Sequence, residues 1–184
     1  MTATDLDSLL AGSVLEVAEH LLGWSLISDL GGETTSVSIT ETEAYAGEAD
    51  PASHAFRGRT PRNGSMFGPA GTVYVYRSYG IHWCMNVVVG DIGIPHAVLL
   101  RGGEPRLGQE AMVRRRGRER NLADGPGKLC QALGVTGAVD GWDLREGELR
   151  LVPGSGRIGR TVVRTPRIGI SKATERPWRF VLVG

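Results

Sequence analysis

Residues 35–45 read Thr35-Ser36-Val37-Ser38-Ile39-Thr40-Glu41-Thr42-Glu43-Ala44-Tyr45. Val37, Ile39, Glu41, Glu43 and Tyr45 fall on one side of an extended chain, and Ser36, Ser38, Thr40 and Thr42 on the other. That is the period of two that a strand imposes. Trp24–Asp29 before it, and Thr72–Tyr76, Ile81–Val89, His96–Arg101, Leu149–Val152, Val162–Ser171 and Trp178–Val183 after it, also carry strand-like patterns. Arg77-Ser78-Tyr79-Gly80 marks a hairpin turn between two of them. Helical spacing is rarer. Ser13 and Glu16 form a capping-box signature before Val14–Leu22, and shorter helices are expected over Gln109–Arg115 and Lys128–Leu133. Strands without crossover helices predict one mixed α/β domain of the α+β kind over residues 1–184, with a largely antiparallel sheet and flanking helices. Residues 1–12 are expected to form a loose arm, and the Gly102-Gly103 pair to end the strand before it.

Composition narrows the function. Of 184 residues, 27 are glycine, about double the usual ~7 %, but they are scattered between apolar segments and so predict turns rather than disorder. The net charge of +1 hides a division. All ten acids of residues 1–50 lack a basic neighbour in that segment, whereas all 21 Lys and Arg lie in residues 51–184. A basic second half suits an anionic partner such as nucleic acid. Arginines at 57, 59, 62, 77, 101 and 106, and the run Arg114–Arg116, are spread over loops and turns and predict a one-sided basic surface. Two cysteines without CxxC spacing make no disulfide framework. No apolar run approaches the roughly 20 residues of a membrane span, and the acidic N-terminus does not resemble a signal peptide. An intracellular protein is expected.

The residues that suggest chemistry cluster around the quoted strand. The alternation puts Glu43 on the side of Val37 and Ile39, and a carboxylate taken out of water needs a reason. Held so, with Glu41 two residues away, it is a candidate general base. A bulge that turns one Glu to solvent, or a structural Arg partner, would explain the same pattern. Tyr45, His54, Tyr74 and Tyr76 supply flat rings that can stack on nucleobases or simply pack. Tyr79, on the turn, suits a wedge between bases. Residues 46–71 form a long loop of the kind that usually carries function. His82 and Cys84 share a strand face, but no spacing of ligands predicts a metal. Lys128, Lys172 and the N-terminus are the available amines, and none lies in the motif that carries Glu43.

Glu41-Thr42-Glu43-Ala44-Tyr45, Ala52-Ser53-His54, Thr60-Pro61-Arg62-Asn63, Gly71-Thr72-Val73-Tyr74-Val75-Tyr76, Tyr79-Gly80, Cys84-Met85-Asn86, Val98-Leu99-Leu100-Arg101 and Gly125-Pro126-Gly127-Lys128-Leu129-Cys130 resemble, in this order, the alkyladenine (3-methyladenine) DNA glycosylases. The resemblance runs from about Asp7 to the C-terminus. It implies a curved, mainly antiparallel sheet with a protruding hairpin that intercalates into DNA. It also implies excision of alkylated or deaminated purines, such as 3-methyladenine, 7-methylguanine, hypoxanthine and ethenoadenine, without cofactor or catalytic metal. Glu43 would activate the attacking water, with Arg101 and the main-chain carbonyl of Ile168 as further contacts. Tyr45 would stack on one face of the flipped base, His54 and Tyr76 on the other. Asn86 would line the pocket and Tyr79 fill the vacated stack. The partner would be double-stranded DNA carrying damaged purines, bound by a monomer in the bacterial cytoplasm, at the nucleoid. Two other readings stay open on the residues alone. A non-catalytic damage-recognition module has no use for Glu43 and Arg101, and a nucleoside hydrolase has none for an exposed Tyr79.

Overall fold

Thr35–Ala46 (β2) is the longest strand together with His96–Leu107 (β5), and the two pair antiparallel with three register shifts, two of them adjacent at Glu41, as the computed structural model, which describes residues 3–184, makes plain. Ile39 faces Gly103 and Glu41 faces Gly102, which leaves Thr40 without a partner; Thr42 then faces Leu100, which leaves Arg101 without one. One extra residue in each strand reverses the in–out alternation of both. Val37 and Ile39 pack in the main core. Beyond the bulge that side is taken over by Ala44, also in the core, and by Thr42, whose hydroxyl donates to Ala18 O at 2.6 Å. Glu41, Glu43 and Tyr45 are thereby moved to the opposite face. The expectation that Glu43 shares a side with Val37 and Ile39 is corrected on this point.

The Gly102-Gly103 pair does not end its strand either. A Cβ on Gly103 would lie 2.7 Å from Val37 Cγ2, so the bare backbone is what lets β5 cross β2 closely and continue to Leu107. The other edge of β2 is shared. Ser25–Ser28 (β1) pairs with its first residues and Arg179–Val183 (β8) with Glu41–Glu43, so the sheet forks at the bulge and curls. The remaining order is Val73–Ser78 (β3), His82–Val89 (β4), β5, β2, β1 and Leu149–Val152 (β6), with Thr161–Thr165 (β7) beside β8; every pairing is antiparallel. This is a single α+β domain with a half-barrel sheet. The strand expected over Val162–Ser171 stops at Thr165, and residues 166–178 run irregularly along the site.

Helices Ala3–Leu10 (α1), Val14–His20 (α2), Gln109–Arg116 (α3) and Pro126–Leu133 (α4) cover one face. Both halves of the capping box start α2: Ser13 Oγ accepts from Glu16 N, and the Glu16 carboxylate accepts from Ser13 N at 3.0 Å. Such a cap contributes about 1 kcal/mol. Within the expected loose arm, Ala3–Leu10 instead forms α1, because Leu6 and Leu10 are buried in the core and Asp7 pairs with Arg145 at 2.6 Å; residues 1 and 2 of that arm lie outside the described residues. A smaller cluster, Ala55, Met66, Tyr74, Val88 and Ala97, fixes the 46–71 loop on the other face. No helix among the described residues is long and apolar enough to cross a membrane.

The charge division turns out to be largely an internal pairing. Asp7, Glu19, Asp29, Glu33, Glu41, Glu43 and Asp50 all meet arginines of the second half. In the Arg114–Arg116 run, Arg114 pairs with Glu33 and Arg116 donates to Gln131. Arg115 donates to Leu30 O at 2.8 Å and Ala132 O at 3.1 Å. That run ties α3 to α4 and to the β1–β2 turn. The expected one-sided basic surface shrinks to the bases left over. Among the described residues, Arg57, Arg59, Arg62, Arg77, Arg115, Arg116, Arg118, Arg120 and Lys172 make no ion pair; Arg115 and Arg116 are held by those hydrogen bonds, and Arg118 and Arg120 are exposed just past α3. Arg62, Arg77 and Lys172 line one cleft.

Candidate active site

The face to which the double bulge turns Glu41, Glu43 and Tyr45 is the floor of a cleft of about 540 Å³. Six parts of the chain meet there: β2, the 46–71 loop, the β3–β4 hairpin, β5, the start of α4 and the irregular 166–178 segment. Of the residues expected at the site, Tyr45, His54, Tyr76, Asn86, Arg101, Ile168 and Tyr79 line the cleft. Glu43 lies just behind this lining and is 0 % exposed.

Each oxygen of Glu43 has a partner. Ile168 N–H donates to Oε1 and Tyr45 Oη–H to Oε2, both at 2.8 Å. Arg101 Nε stands 3.4 Å from Oε1 but is 2.7 Å from Glu41 Oε1, which Arg179 Nε also approaches at 2.7 Å. Glu41 is therefore not a second free base. Burial works against its charge, but the bonds from Arg179 and Arg101 outweigh this and hold its pKa below the usual range. Burial equally opposes the charge on Arg101, and Glu43 and Glu41 more than compensate. The arrangement keeps a full negative charge at Glu41 and leaves Arg101 pointing at both carboxylates. Ile168 bonds Glu43 through its N–H because residue 168 is outside any strand ladder.

Three of the rings form one cluster. Tyr74 and Tyr76 stack at 5.6 Å and 27°, and His54 meets Tyr76 edge-on at 4.4 Å. His54 Nδ1 is 2.8 Å from Tyr74 Oη, and burial, then Arg62, lowers the pKa of the imidazole. It is neutral at physiological pH, so it can stack beside a cationic base without repelling it. Tyr45, from β2, also lines the cleft, and burial and then Glu43 push its pKa up; its hydroxyl stays protonated and can only donate to the carboxylate. Asn86 Nδ2 donates to Tyr74 O at 3.1 Å in a buried position, so its amide orientation is fixed.

Tyr79 is 88 % exposed at the tip of the β3–β4 hairpin, where Ser78 pairs with His82 across a three-residue turn. Its φ of 50° is left-handed, a conformation that costs a non-glycine residue roughly 1–2 kcal/mol. The turn holds the ring out of the sheet despite that cost. Unpaired Arg62 and Arg77 flank it: Arg62 donates to Arg77 O at 3.1 Å, and Arg77 lies over the Trp83 ring.

Two groups escaped the sequence. Asp50 and Arg167 form a wholly buried ion pair beneath Tyr45, and Arg179 is the second partner of Glu41. A lone Asp before Pro51 and one Arg among 19 carry no signal in the chain itself. Lys172 is outside the motif that carries Glu43 and still lines the cleft, because residues 166–178 fold back over β2 instead of continuing β7.

A family model described as methylpurine-DNA glycosylase (MPG) matches residues 8–184. Among curated relatives, a protein of Rhodopseudomonas palustris (strain BisB18) is 51 % identical over 180 residues, covering 96 % of this chain and 86 % of the relative. One from Granulibacter bethesdensis is 50 % identical over 171 residues, with 91 % and 78 % covered. One from Frankia casuarinae is 48 % identical over 184 residues, with 93 % and 85 % covered. All three carry the name "Putative 3-methyladenine DNA glycosylase".

Proposed function

The chain belongs to the methylpurine-DNA glycosylase family, and from that membership and the cleft we propose that it is a monofunctional DNA-repair glycosylase that flips damaged purines and hydrolyses their N-glycosidic bond. The observation that carries this is a buried carboxylate with defined donors on both oxygens, set behind a cleft lined by Tyr45, His54, Tyr74 and Tyr76. An exposed ring and unpaired cations at the rim complete the match to a base drawn out of a duplex. Free nucleoside would need neither the rim nor the ring, and a recognition module would not need the carboxylate.

Glu43 takes a proton from a water as that water's oxygen forms a bond to the sugar C1′. The C1′–N bond breaks and its electron pair leaves with the purine. The sugar passes through an oxocarbenium-like state that the carboxylate stabilises by charge. Arg101, shared between Glu41 and Glu43, and the Ile168 main chain orient the carboxylate and the water. Because Tyr45 Oη–H now covers Oε2, the water gains access when this hydroxyl gives way. Tyr45 on one side and His54 with Tyr76 on the other hold the base. Such rings favour the positive charge of 3-methyladenine and 7-methylguanine. Hypoxanthine and ethenoadenine fit the same flat slot, with Asn86 at its edge to reject a guanine 2-amino group. Tyr79 fills the gap in the duplex. The enzyme acts as a monomer on genomic DNA in the cytoplasm.

The deciding experiment is excision from duplexes carrying hypoxanthine, ethenoadenine or 7-methylguanine. Release of free base with an intact strand is expected, and failure to release any of the three would refute the reading. Since Lys172 lines the cleft, borohydride trapping tests the absence of lyase chemistry directly. A covalent protein–DNA adduct would mean that an amine forms a Schiff base.

A further inference from the structure

Arg167 stands outside the reacting set yet touches three parts of it. Its guanidinium lies 4.6 Å from the centre of the Tyr45 ring and 5.1 Å from that of Trp178. Its Nη2 donates to Asp50 Oδ1 at 2.9 Å, and Nη1 donates to Asp50 Oδ2 and to Ala44 O, between Glu43 and Tyr45. The next residue, Ile168, donates to Glu43. Asp50 accepts in turn from the main chain of Ala52, at the root of the loop that carries His54. Both charged side chains are fully buried.

A buried ion pair adds little net stability, because desolvation cancels most of the attraction. This one also leaves a donor unused: Arg167 Nε finds no acceptor among the described residues. The guanidinium packs on both the Tyr45 and Trp178 rings and leaves one hydrogen bond unmade. A role in the site explains this better than a role in the fold.

Resting on the glycosylase reading above, we propose that Arg167, anchored by Asp50, is a positioning and specificity-determining residue that fixes the Tyr45 ring and weakens its attraction for a cationic base. An aromatic ring presents negative potential on both faces. Arg167 does not line the cleft, so it occupies the face of Tyr45 turned away from the base. A cation there cancels part of the potential on the cleft side. A positively charged 7-methylguanine loses more from this than neutral hypoxanthine does. The pair thus narrows the binding advantage of lesions that already leave readily, and brings neutral, harder substrates within range of the same site.

The test replaces the ion pair by an amide pair, Asp50→Asn with Arg167→Gln, which keeps hydrogen-bonding groups and removes both charges. Affinity for duplexes bearing 7-methylguanine or hypoxanthine is measured in a Glu43→Gln background, where the lesion persists. The 7-methylguanine to hypoxanthine affinity ratio is expected to rise about two- to fivefold, the size of one cation–ring contact. Melting temperature controls for folding. If both affinities fall alike and the ratio stays fixed, Arg167 is merely structural and the proposal is overturned. Should the double variant not fold, Arg167→Lys decides: it keeps the charge and loses the flat stack, so the ratio is expected to hold while excision of both bases slows. A shifted ratio in Arg167→Lys would overturn the proposal. The binding ratio reads Arg167 even if no base is excised, whereas absence of excision by the wild-type chain would refute the function.

Discussion

Replacing Glu43 by Gln separates chemistry from architecture at the fully buried carboxylate just behind the cleft lining. The amide has the same shape. Its carbonyl can accept from Ile168 N–H, now at 2.8 Å from Oε1, and its NH₂ can donate to Tyr45 Oη, which now donates to Oε2 at 2.8 Å. Arg101 keeps its 2.7 Å partner Glu41 and loses only the 3.4 Å approach to Glu43. Stability should therefore change by no more than about 1 kcal/mol, the scale of one hydrogen bond. The amide cannot take a proton from water. General-base loss of ~10²–10⁴-fold corresponds to roughly 2.7–5.4 kcal/mol of barrier at 1.36 kcal/mol per decade. Loss of the charge that stabilises the sugar cation adds to it. Single-turnover excision of hypoxanthine from a duplex should fall by at least that factor. Lesion affinity, followed by gel shift, should hold or improve, since a negative charge near the phosphates is gone. The loss on 7-methylguanine should be smaller, because its base leaves already activated. Near-normal excision by the Gln variant would place the base elsewhere. Loss of lesion binding in step with activity would make Glu43 structural.

Tyr79→Ser should reduce excision from duplex far more than from single-stranded DNA, since the exposed ring matters only where a stack must be held open; equal losses in the two assays would make the ring structural. Arg115→Ala removes donors to Leu30 O and Ala132 O, and should cost about 2–4 kcal/mol and lower the melting temperature. It should leave the salt dependence of DNA binding unchanged, while Arg77→Ala together with Lys172→Ala should flatten it without affecting melting; the opposite pattern would put DNA on α3. Acid should destabilise in two steps with the same sign. Burial lowers the pKa of His54 from 6.5, so the unfolded chain binds protons first and stability falls as pH drops below about 6.5. Glu41 and Asp50, both lowered from 4.5 and 3.8 by their arginines despite burial, add a second loss below about pH 4.5. Melting scans from pH 8 to 3 check this, and stability that rises on acidification would refute it.

Much of this was legible in the chain because it rests on local rules. Alternation marked the strand of Glu43, the Ser13–Glu16 box marked α2, and the turn residues at 77–80 marked the hairpin that bears Tyr79. The absence of crossover helices implied antiparallel pairing. The order of motifs around Glu43, Tyr45, His54, Tyr76, Asn86 and Arg101 marked residues that do meet in one cleft. What the chain could not state is anything that depends on a partner across the sheet. A bulge exists only as a mismatch between two strands, so period-two alternation put Glu43 on the wrong face: Thr40 and Arg101 are unpaired only because β5 lies where it does. The charge division looked like a surface, and became mostly internal pairing, because Asp7 and Arg145 are far apart in sequence and adjacent in space. Asp50 and Arg167, 117 residues apart, carry no local pattern, and only the fold that buries both beside Tyr45 makes them a pair.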